Sequence, residues 1–497
     1  MENKRSLIEK AASWLVTALK SNKLPFLSAV VFGLLAHMYA FTNKLLNADE
    51  ISALFSKGAT VKSGRWGLAL TSYIFPDVSM PWIYGIISLL LLACAICLII
   101  RIFKIRRPAL QLVLSAAVIC FPAVLGNFCF MFTSAPYALA IFMAVLAVFL
   151  FRRGGKLRGV SGVILMALSL GIYQAYISLA ASFLVLILMQ MLLEGSDAKE
   201  VLKKGVVYFL LLVAALVLYY LVTFIVDLVG GQGYQEYEFM SGGGIAASLV
   251  RAYTSFVRTF TDGYFGFVNS PLSVVAHLVI MLQAVGCITA GMIKRRNLGN
   301  TGLMLFLLLI FPLSMNCMYL IASVDIIHTL VLFSFISVYV LSAIVLDRVE
   351  GRAFLLRDAG CVALALIVAG NIFYCNKVYL KMALQYENAY AFYNTLMAQI
   401  MDTPGFNSDT VIDFVGSDAW GVKKFDEIDT GKLTGPNDDL VNIYTRVDFM
   451  KYYMGIDLYS YREDTIYADW YDEMPSYPDP GSIMMRPEEN RIIIKLQ

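Results

Sequence analysis

Two adjacent acidic residues, Asp49 and Glu50, directly follow the first long apolar segment of the chain. A carboxylate is costly inside hydrocarbon, so acidic side chains near membrane depth usually face a cavity, a partner or a substrate. A carboxylate can also take a proton from a hydroxyl group as a general base. These residues therefore predict a catalytic site at a membrane surface. The alternative is an ordinary helix start, with Asn47 or Asp49 as the cap.

The composition places this acidic pair in a polytopic membrane protein. Hydrophobic residues make up 59% of the 497 residues, and the mean hydropathy is +0.70, well above the usual range of soluble domains. Apolar runs long enough to cross the hydrocarbon core give about eleven spans. The predicted spans are Pro25–Leu46, Pro81–Phe103, Ala109–Phe128, Ala135–Phe151, Val160–Tyr173, Ala175–Leu193, Val206–Val229, Pro271–Ile293, Thr301–Ala322, Ile326–Leu346 and Asp358–Cys375.

Basic clusters predict the orientation of these spans. Lys and Arg in short loops stay on the cytoplasmic side of the membrane. Such clusters precede the first span and recur at every second boundary, at Arg101–Arg107, Arg152-Arg153, Lys203-Lys204, Lys294–Arg296 and Arg348–Arg357. The protein is therefore expected in the inner (plasma) membrane of the cell. Its N-terminus is expected in the cytoplasm. The loops 47–80 and 230–270, with the acidic pair, are expected on the extracytoplasmic face.

Two segments flank the predicted membrane domain, residues 25–375. Residues 1–24 have apolar side chains at helical spacing, typical of an amphipathic helix at the cytoplasmic interface. Residues 376–497 are richer in acidic and turn-forming residues and predict a small extracytoplasmic α/β domain, with a helix over Val378–Met401 and strands at Thr410–Val415 and Arg491–Leu496. The expected fold is thus an all-α polytopic membrane protein with a small C-terminal α/β domain.

The sequence does not predict a metal, redox or nucleotide site. The eight cysteines lie mostly in apolar spans, and Cys94 and Cys97 lack the second pair that a zinc site requires. Asp49 and Glu50 alone make a poor cage for a divalent cation, which is therefore not favoured. A nucleotide-binding strand, glycine loop and helix are also missing, so a sugar donor would arrive through the membrane. No nucleic-acid partner is expected.

Five short motifs are informative when their order along the chain and their predicted topology are taken together. They are Asn47-Ala-Asp-Glu50, Gly64-Arg-Trp66, Gly171-Ile-Tyr-Gln-Ala175, His328-Thr-Leu330 and Asn376-Lys-Val-Tyr379. Together they make the chain, over most of its length, resemble the bacterial O-antigen glucosyltransferases of Gtr type II, which are membrane-embedded enzymes of the GT-C class. The membrane domain is accordingly expected to be GT-C-like.

The resemblance implies a polyprenyl-phosphate sugar donor, with glucose as the sugar in the named members. The sugar would be transferred to a lipid-linked glycan or polymer of the cell envelope, outside the cytoplasmic membrane. Such a donor keeps its tail in the lipid bilayer and its phosphate at the interface, where Asp49 and Glu50 are predicted. We therefore expect one of these two carboxylates to deprotonate the acceptor hydroxyl while the lipid phosphate leaves.

A leaving phosphate also needs cationic donors, because hydrogen bonds from charged groups to phosphate are the stronger kind. Arg65 is the first candidate for this role. Arg251 and Arg258 in the predicted loop 230–270, and His328 near an extracytoplasmic helix end, are further candidates.

Three more residues are candidates for substrate binding. Trp66 adjoins Arg65, and Tyr173 and Gln174 lie at a predicted extracytoplasmic boundary, where they are suited to contact a sugar. The alternatives are interfacial anchoring for Trp66, and ordinary boundary positions and helix contacts for Tyr173 and Gln174.

Transport of a lipid-linked sugar or polysaccharide, by a flippase or exporter, is the competing class of function. Transporters also use broken helices, but they place ionisable residues near the middle of the membrane and show related halves. Here most charges lie in loops, and no two halves match. A third possibility is a binding or assembly protein that works through its acidic tail, for which about eleven spans would be excessive. Glycosyl transfer is therefore favoured.

Overall fold

The computed structural model describes residues 21–58, 60–230, 244–261, 270–321, 328–416, 421–457, 459–460 and 470–496. The predicted amphipathic helix within residues 1–24 lies almost entirely outside the described residues.

Helices dominate the described chain, and a small sheet lies near its end. The helices are α1 Lys23–Thr42, α2 Ala48–Ser52, α3 Trp66–Leu70, α4 Pro81–Phe103, α5 Pro108–Ile119, α6 Pro122–Cys129, α7 Met131–Arg153, α8 Lys156–Ile172, α9 Tyr176–Glu194, α10 Ala198–Gly230, α11 Gly244–Thr261, α12 Pro271–Arg295, α13 Leu298–Met315, α14 Met318–Ile321, α15 Ser337–Leu346, α16 Phe354–Met401, α17 Arg446–Tyr453 and α18 Trp470–Glu473. The strands are β1 Val411–Val415, β2 Tyr459–Ser460, β3 Ile483–Arg486 and β4 Arg491–Lys495. Short 3-10 helices are found at Thr71–Tyr73, Thr329–Ile336, Gly351–Ala353, Pro480–Ser482 and Pro487–Glu489.

Ten helical segments among the described residues are long and apolar enough to cross a membrane. One of them joins α5 to α6, which meet at Pro122 because a proline lacks the N–H that would continue a helix. The predicted span Pro81–Phe103 is α4. The predicted span Val160–Tyr173 corresponds to α8, which has 17 residues and is not among the ten. The protein is polytopic and mainly helical.

The outer surface of the helical part is apolar, as contact with a lipid bilayer requires. Helix α10 shows this best, since Phe209, Val217, Leu221 and Phe224 along its length are all exposed. Its few buried side chains include Tyr219, which bonds to Gly64 just before α3, and Thr223, which bonds to Trp66 of α3.

The two ends of the helix bundle differ in charge. One end, here called the site end, includes the C-terminus of α1, the start of α4 and the junctions α6–α7 and α8–α9. The opposite end carries the basic clusters, where Glu194 pairs with Arg348 at 2.9 Å and with Lys104 at 3.4 Å. Helix α4 separates the ends by about 35 Å. Which end faces the cytoplasm stays a prediction.

Helix α16 continues from Phe354 to Met401 without a break at the predicted domain boundary. The sheet that follows has the strand order β2-β1-β4-β3, in which β1 is parallel to β2 and β4, and β3 is antiparallel to β4. The predicted helix over Val378–Met401 and the predicted strands at Thr410–Val415 and Arg491–Leu496 are thus confirmed.

The C-terminal part packs on the site end through an apolar cluster. Ile412 of β1 and Ile492 of β4 lie in one cluster with Leu396 of α16, and Leu46 and Ile51 from the first loop belong to the same cluster. Because Ile51 lies on α2, the helix that carries Asp49 is held between the membrane helices and the C-terminal part.

Candidate functional site

Helix α2 is fixed at its first residue by a polar cap. The side-chain oxygen of Asn47 accepts a hydrogen bond from the N–H of Glu50 at 2.8 Å, and its amide donates to the carbonyl of Cys129 at 2.6 Å. The cap predicted from the sequence is thus confirmed for Asn47. Since successive residues of a helix point in directions about 100° apart, Asp49 and Glu50 face different surroundings.

The Glu50 carboxylate is buried and fully engaged. Its exposed fraction is 0%, and it contacts the ammonium group of Lys44 and the hydroxyl of Ser79. Its second oxygen accepts the N–H of Phe132 at 3.2 Å. These contacts connect the first loop to the start of α7. Glu50 therefore has the contacts of a residue that holds the loop in place.

The Asp49 side chain is exposed at the site end. Partial removal of its hydration by the surrounding protein raises the pKa of this carboxyl, and the negative charges of Asp438 and Glu50 raise it further, against the opposing charges of Arg65 and His328. A carboxylate with a raised pKa is a stronger base than an ordinary aspartate. The Asp49 carboxylate is thus accessible from solvent and is a stronger base than that of an ordinary aspartate.

Arg65 is held by a cluster of tyrosines. Its guanidinium lies over the ring of Tyr173, 5.1 Å from the centroid, and its Nη1 is 3.4 Å from the hydroxyl of Tyr137. The rings of Tyr137 and Tyr173 are stacked at 4.4 Å, and Tyr176 meets Tyr173 edge-on. An arginine stacked on an aromatic face is oriented by the ring, while the N–H groups at its edge suit a phosphate.

Gln174 holds the loop that carries Arg65. Its amide donates to the carbonyl of Ser63 at 2.8 Å and to the hydroxyl of Tyr219 at 3.0 Å. The same tyrosine donates to the carbonyl of Gly64 at 3.1 Å. The structure therefore brings Gln174 to the site as a support for the backbone beside Arg65.

Trp66, the first residue of α3, is buried against α8 and α10. Its indole N–H donates to the hydroxyl of Thr223 at 3.2 Å. A Cβ added to Gly171 would lie 2.5 Å from the Trp66 ring, and one added to Gly67 would lie 2.7 Å from the backbone of Gly171. Both glycines are thus required for the close approach of α3 to α8.

His328 is exposed at the site end and contacts the C-terminal part. Its Nδ1 lies 2.7 Å from the hydroxyl of Thr434, and it contributes a favourable charge interaction to Asp49. The charges of Arg65 and His328 thus act on Asp49, and the roles of these three residues in catalysis and substrate binding stay predictions.

The other two predicted cations lie on a helix within the predicted loop 230–270. Arg251 and Arg258 are on α11, which packs on α12, α13 and α14. Their spacing of seven residues puts them on one face of that helix. Their part in substrate binding stays a prediction.

Two tyrosines and one aspartate of the site were not found from the sequence. Tyr137 and Tyr176 lie in apolar helices with no local feature that marks them, and Asp438 is one of many acidic residues in the tail. Only contacts distant in sequence reveal all three. Within the described ranges, no group of three or more metal-binding side chains occurs.

Comparison with known proteins identifies the family. A family model described as Glucosyl transferase GtrII matches residues 38–346, more than half of the chain. The match includes every predicted site residue from Asp49 to His328. The comparison with curated proteins gave no match, and neither did the comparison with solved structures.

Proposed function

Since this chain belongs to the glucosyl transferase GtrII family and is therefore an enzyme, a glycosyltransferase, we propose that it moves a sugar from a polyprenyl-phosphate donor to a cell-envelope glycan. We place the reaction at the site end, on the extracytoplasmic face of the inner membrane, with glucose as the sugar. The observation that carries the proposal is the exposed Asp49 carboxylate at the site end, whose pKa is raised mainly by lost hydration and on which the charges of Arg65 and His328 act.

We assign the role of general base to Asp49. A base must reach the acceptor hydroxyl, and Asp49 is exposed, whereas Glu50 is buried with its oxygens engaged by Lys44, Ser79 and the amide of Phe132. In this assignment Glu50 keeps α2 in place and thereby orients Asp49.

The reaction is a substitution at the anomeric carbon of the sugar. The acceptor oxygen forms the new bond to that carbon, its proton passes to Asp49, and the polyprenyl phosphate leaves with the electron pair of the broken bond. The leaving group gains negative charge, which Arg65 and His328 stabilise by charge and hydrogen bonding. Tyr173 supports this step by holding the guanidinium. Direct sugar contacts by Tyr173 and Gln174 stay predictions.

The lipid donor fits the surroundings of Arg65. The next residue, Trp66, bonds to Thr223 of α10, a helix with an exposed apolar outer face, including Leu221 and Phe224. A phosphate at Arg65 would therefore have lipid-facing surface close by for its prenyl chain. This proximity favours a membrane-borne donor over a soluble one.

The test is transfer of radiolabelled glucose from polyprenyl-phosphate-glucose to a cell-envelope glycan by the purified protein. We expect transfer by the wild type and a loss of about 10²- to 10⁴-fold in Asp49→Asn, the usual contribution of a general base. Asp77→Asn is the matched control, because this exposed carboxylate lies in the same loop and pairs with Lys57. It is expected to keep its activity.

Other outcomes contradict separate parts of the proposal. Wild-type activity in a folded Asp49→Asn protein would exclude Asp49 as the base. A wild type that forms no glycosidic bond from this donor would exclude the donor. If it then moved the labelled lipid across vesicle membranes, the transport alternative would be supported.

A further inference from the structure

A segment of the C-terminal part lies directly on the site end. This segment, Thr430–Asp438, is called the tail loop. Its Leu433 is 1% exposed and belongs to the apolar core of the membrane helices, not to the core of the C-terminal sheet. The tail loop is therefore packed into the membrane part of the protein.

Side chains of α16 hold the tail loop near both of its ends. The hydroxyl of Tyr374 donates to the carbonyl of Thr430 at 2.8 Å, and the ammonium group of Lys381 donates to the side-chain oxygen of Asn437 at 2.9 Å. Asn437 in turn donates to the carbonyls of Gly431 and Leu433, at 3.0 and 2.8 Å. The tail loop is thus held in a defined position against α16.

The front of the tail loop meets the residues around Asp49. Thr434 bonds to His328. A Cβ added to Gly435, whose φ is +98°, would lie 3.3 Å from the side-chain amide of Asn47, the cap of α2. The carboxylate of Asp438 accepts the N–H of Gly435 at 2.8 Å. Asp438 is therefore fixed beside the start of the helix that carries Asp49.

We propose that the tail loop is a wall of the active site and that Asp438 is a positioning residue, whose charge acts on Asp49 during glycosyl transfer. The C-terminal part is then a component of the catalytic site and not a separate module. This inference rests on the function proposed above and assigns a role to a segment outside the family match at residues 38–346.

The charges around Asp49 give Asp438 a measurable effect. Loss of hydration raises the pKa of Asp49, Asp438 and Glu50 raise it further, and Arg65 and His328 lower it. Removal of the Asp438 charge therefore lowers the pKa of Asp49. A base of lower pKa stays ionised to lower pH, but it takes a proton less readily.

The experiment is the pH–rate profile of sugar transfer by the purified full-length protein, for the wild type, Asp438→Asn and Asp438→Glu. In Asp438→Asn, the fall of the rate on the acid side should move to lower pH, with a reduced maximal rate. Asp438→Glu keeps the charge and should restore the wild-type position. Asp439→Asn is the matched control, since this exposed neighbour pairs with Lys424 at 2.7 Å, and its profile should not move.

A second pair of variants tests the wall itself. Gly435→Ala should lower the rate by about 10- to 100-fold, because small displacements at an active site are costly. Gly455→Ala is its control, since Gly455 also has a positive φ, +71°, but a Cβ there would meet nothing within 4 Å. Both substitutions strain the backbone, and only the first presses the tail loop away from Asn47.

Two results would overturn the inference. One is an unmoved acid limb in a folded, active Asp438→Asn protein, because a purely structural role would lower the rate equally at every pH. The other is an equal loss of rate in Gly435→Ala and Gly455→Ala. Failure of the proposed function is a different result, namely a wild type without transfer at any pH.

Discussion

Removal of the negative charge of Glu50 and removal of that of Asp49 should have opposite effects on the stability of the protein. Glu50 is 0% exposed and paired with Lys44, which is 25% exposed. Glu50→Gln leaves that ammonium group without its carboxylate, although an amide oxygen can still accept from Ser79 or from the N–H of Phe132. We therefore expect Glu50→Gln to destabilise the protein, whereas Asp49→Asn should not.

The expected size follows from the surroundings of the ion pair. Removal of one partner of a fully buried pair costs about 3–5 kcal/mol, and one hydrogen bond to a charged group contributes about 1.5–3 kcal/mol. Lys44 is partly hydrated and still donates to Ser79 at 2.7 Å. The loss should therefore be closer to that of one hydrogen bond to a charged group than to that of a fully buried ion pair. We expect Glu50→Gln to lower the free energy of unfolding by about 2 kcal/mol.

Removal of the Asp49 charge should change the free energy of unfolding in the opposite direction. The pKa of Asp49 is raised in the folded protein, chiefly by lost hydration and by Asp438. A carboxyl whose folded-state pKa is raised stabilises the fold at pH values below its unfolded pKa, and this contribution is lost as the pH rises through the folded pKa. Ionised Asp49 therefore weakens the fold, so Asp49→Asn should melt at the wild-type temperature or higher near neutral pH. The gain should disappear in acid.

Thermal unfolding of the purified protein in one detergent, followed by tryptophan fluorescence, provides the measurement. Lys44→Met and the double variant Lys44→Met with Glu50→Gln complete a double-mutant cycle. The double variant should lose less stability than the two single losses combined. An Asp49→Asn protein that melts as low as Glu50→Gln, or a Glu50→Gln protein as stable as the wild type, would refute the distinction between the two carboxylates.

Two further predictions concern Trp66 and Arg65. Gly171→Ala should lower both the melting temperature and the transfer rate, because the added Cβ would lie 2.5 Å from the Trp66 ring, while Gly302→Ala meets nothing within 4 Å and should keep both; equal effects would contradict this packing. Tyr137→Phe removes the hydroxyl 3.4 Å from Arg65 but keeps the stacked ring, so it should raise the KM for the lipid donor by about 2- to 10-fold, in line with one hydrogen bond of about 0.5–1.5 kcal/mol. An unchanged KM would show that this contact does not orient the guanidinium.

Local signals in the sequence were sufficient for several parts of the structure. The cap at Asn47 follows from a residue type beside a short helix, the strands at Val411–Val415 and Arg491–Lys495 follow from β-branched runs, and α4 follows from an apolar run between a proline and a basic cluster. Each depends on neighbours within a few residues. Segment length and composition therefore sufficed for these elements.

The candidate site depended on contacts that no local pattern contains. Asp49 and Glu50 are adjacent and chemically alike, yet their partners differ because Lys44, Ser79 and Phe132 surround one and Asp438 acts on the other. The uninterrupted course of α16 was also missed, since the change of composition after residue 375 suggested a boundary. Tertiary contacts decided both cases.

The unbroken α16 has a mechanical consequence for the whole protein. Its 48 residues correspond to a rod of about 72 Å, more than twice the thickness of a hydrocarbon core of about 30 Å. The rod sets both the height and the rotational angle of the C-terminal sheet, since each added or removed residue would turn the sheet by about 100° and shift it by about 1.5 Å. The length of α16 thus sets the distance between the C-terminal sheet and the loop that carries Asp49, and a tilt of this helix would change that distance.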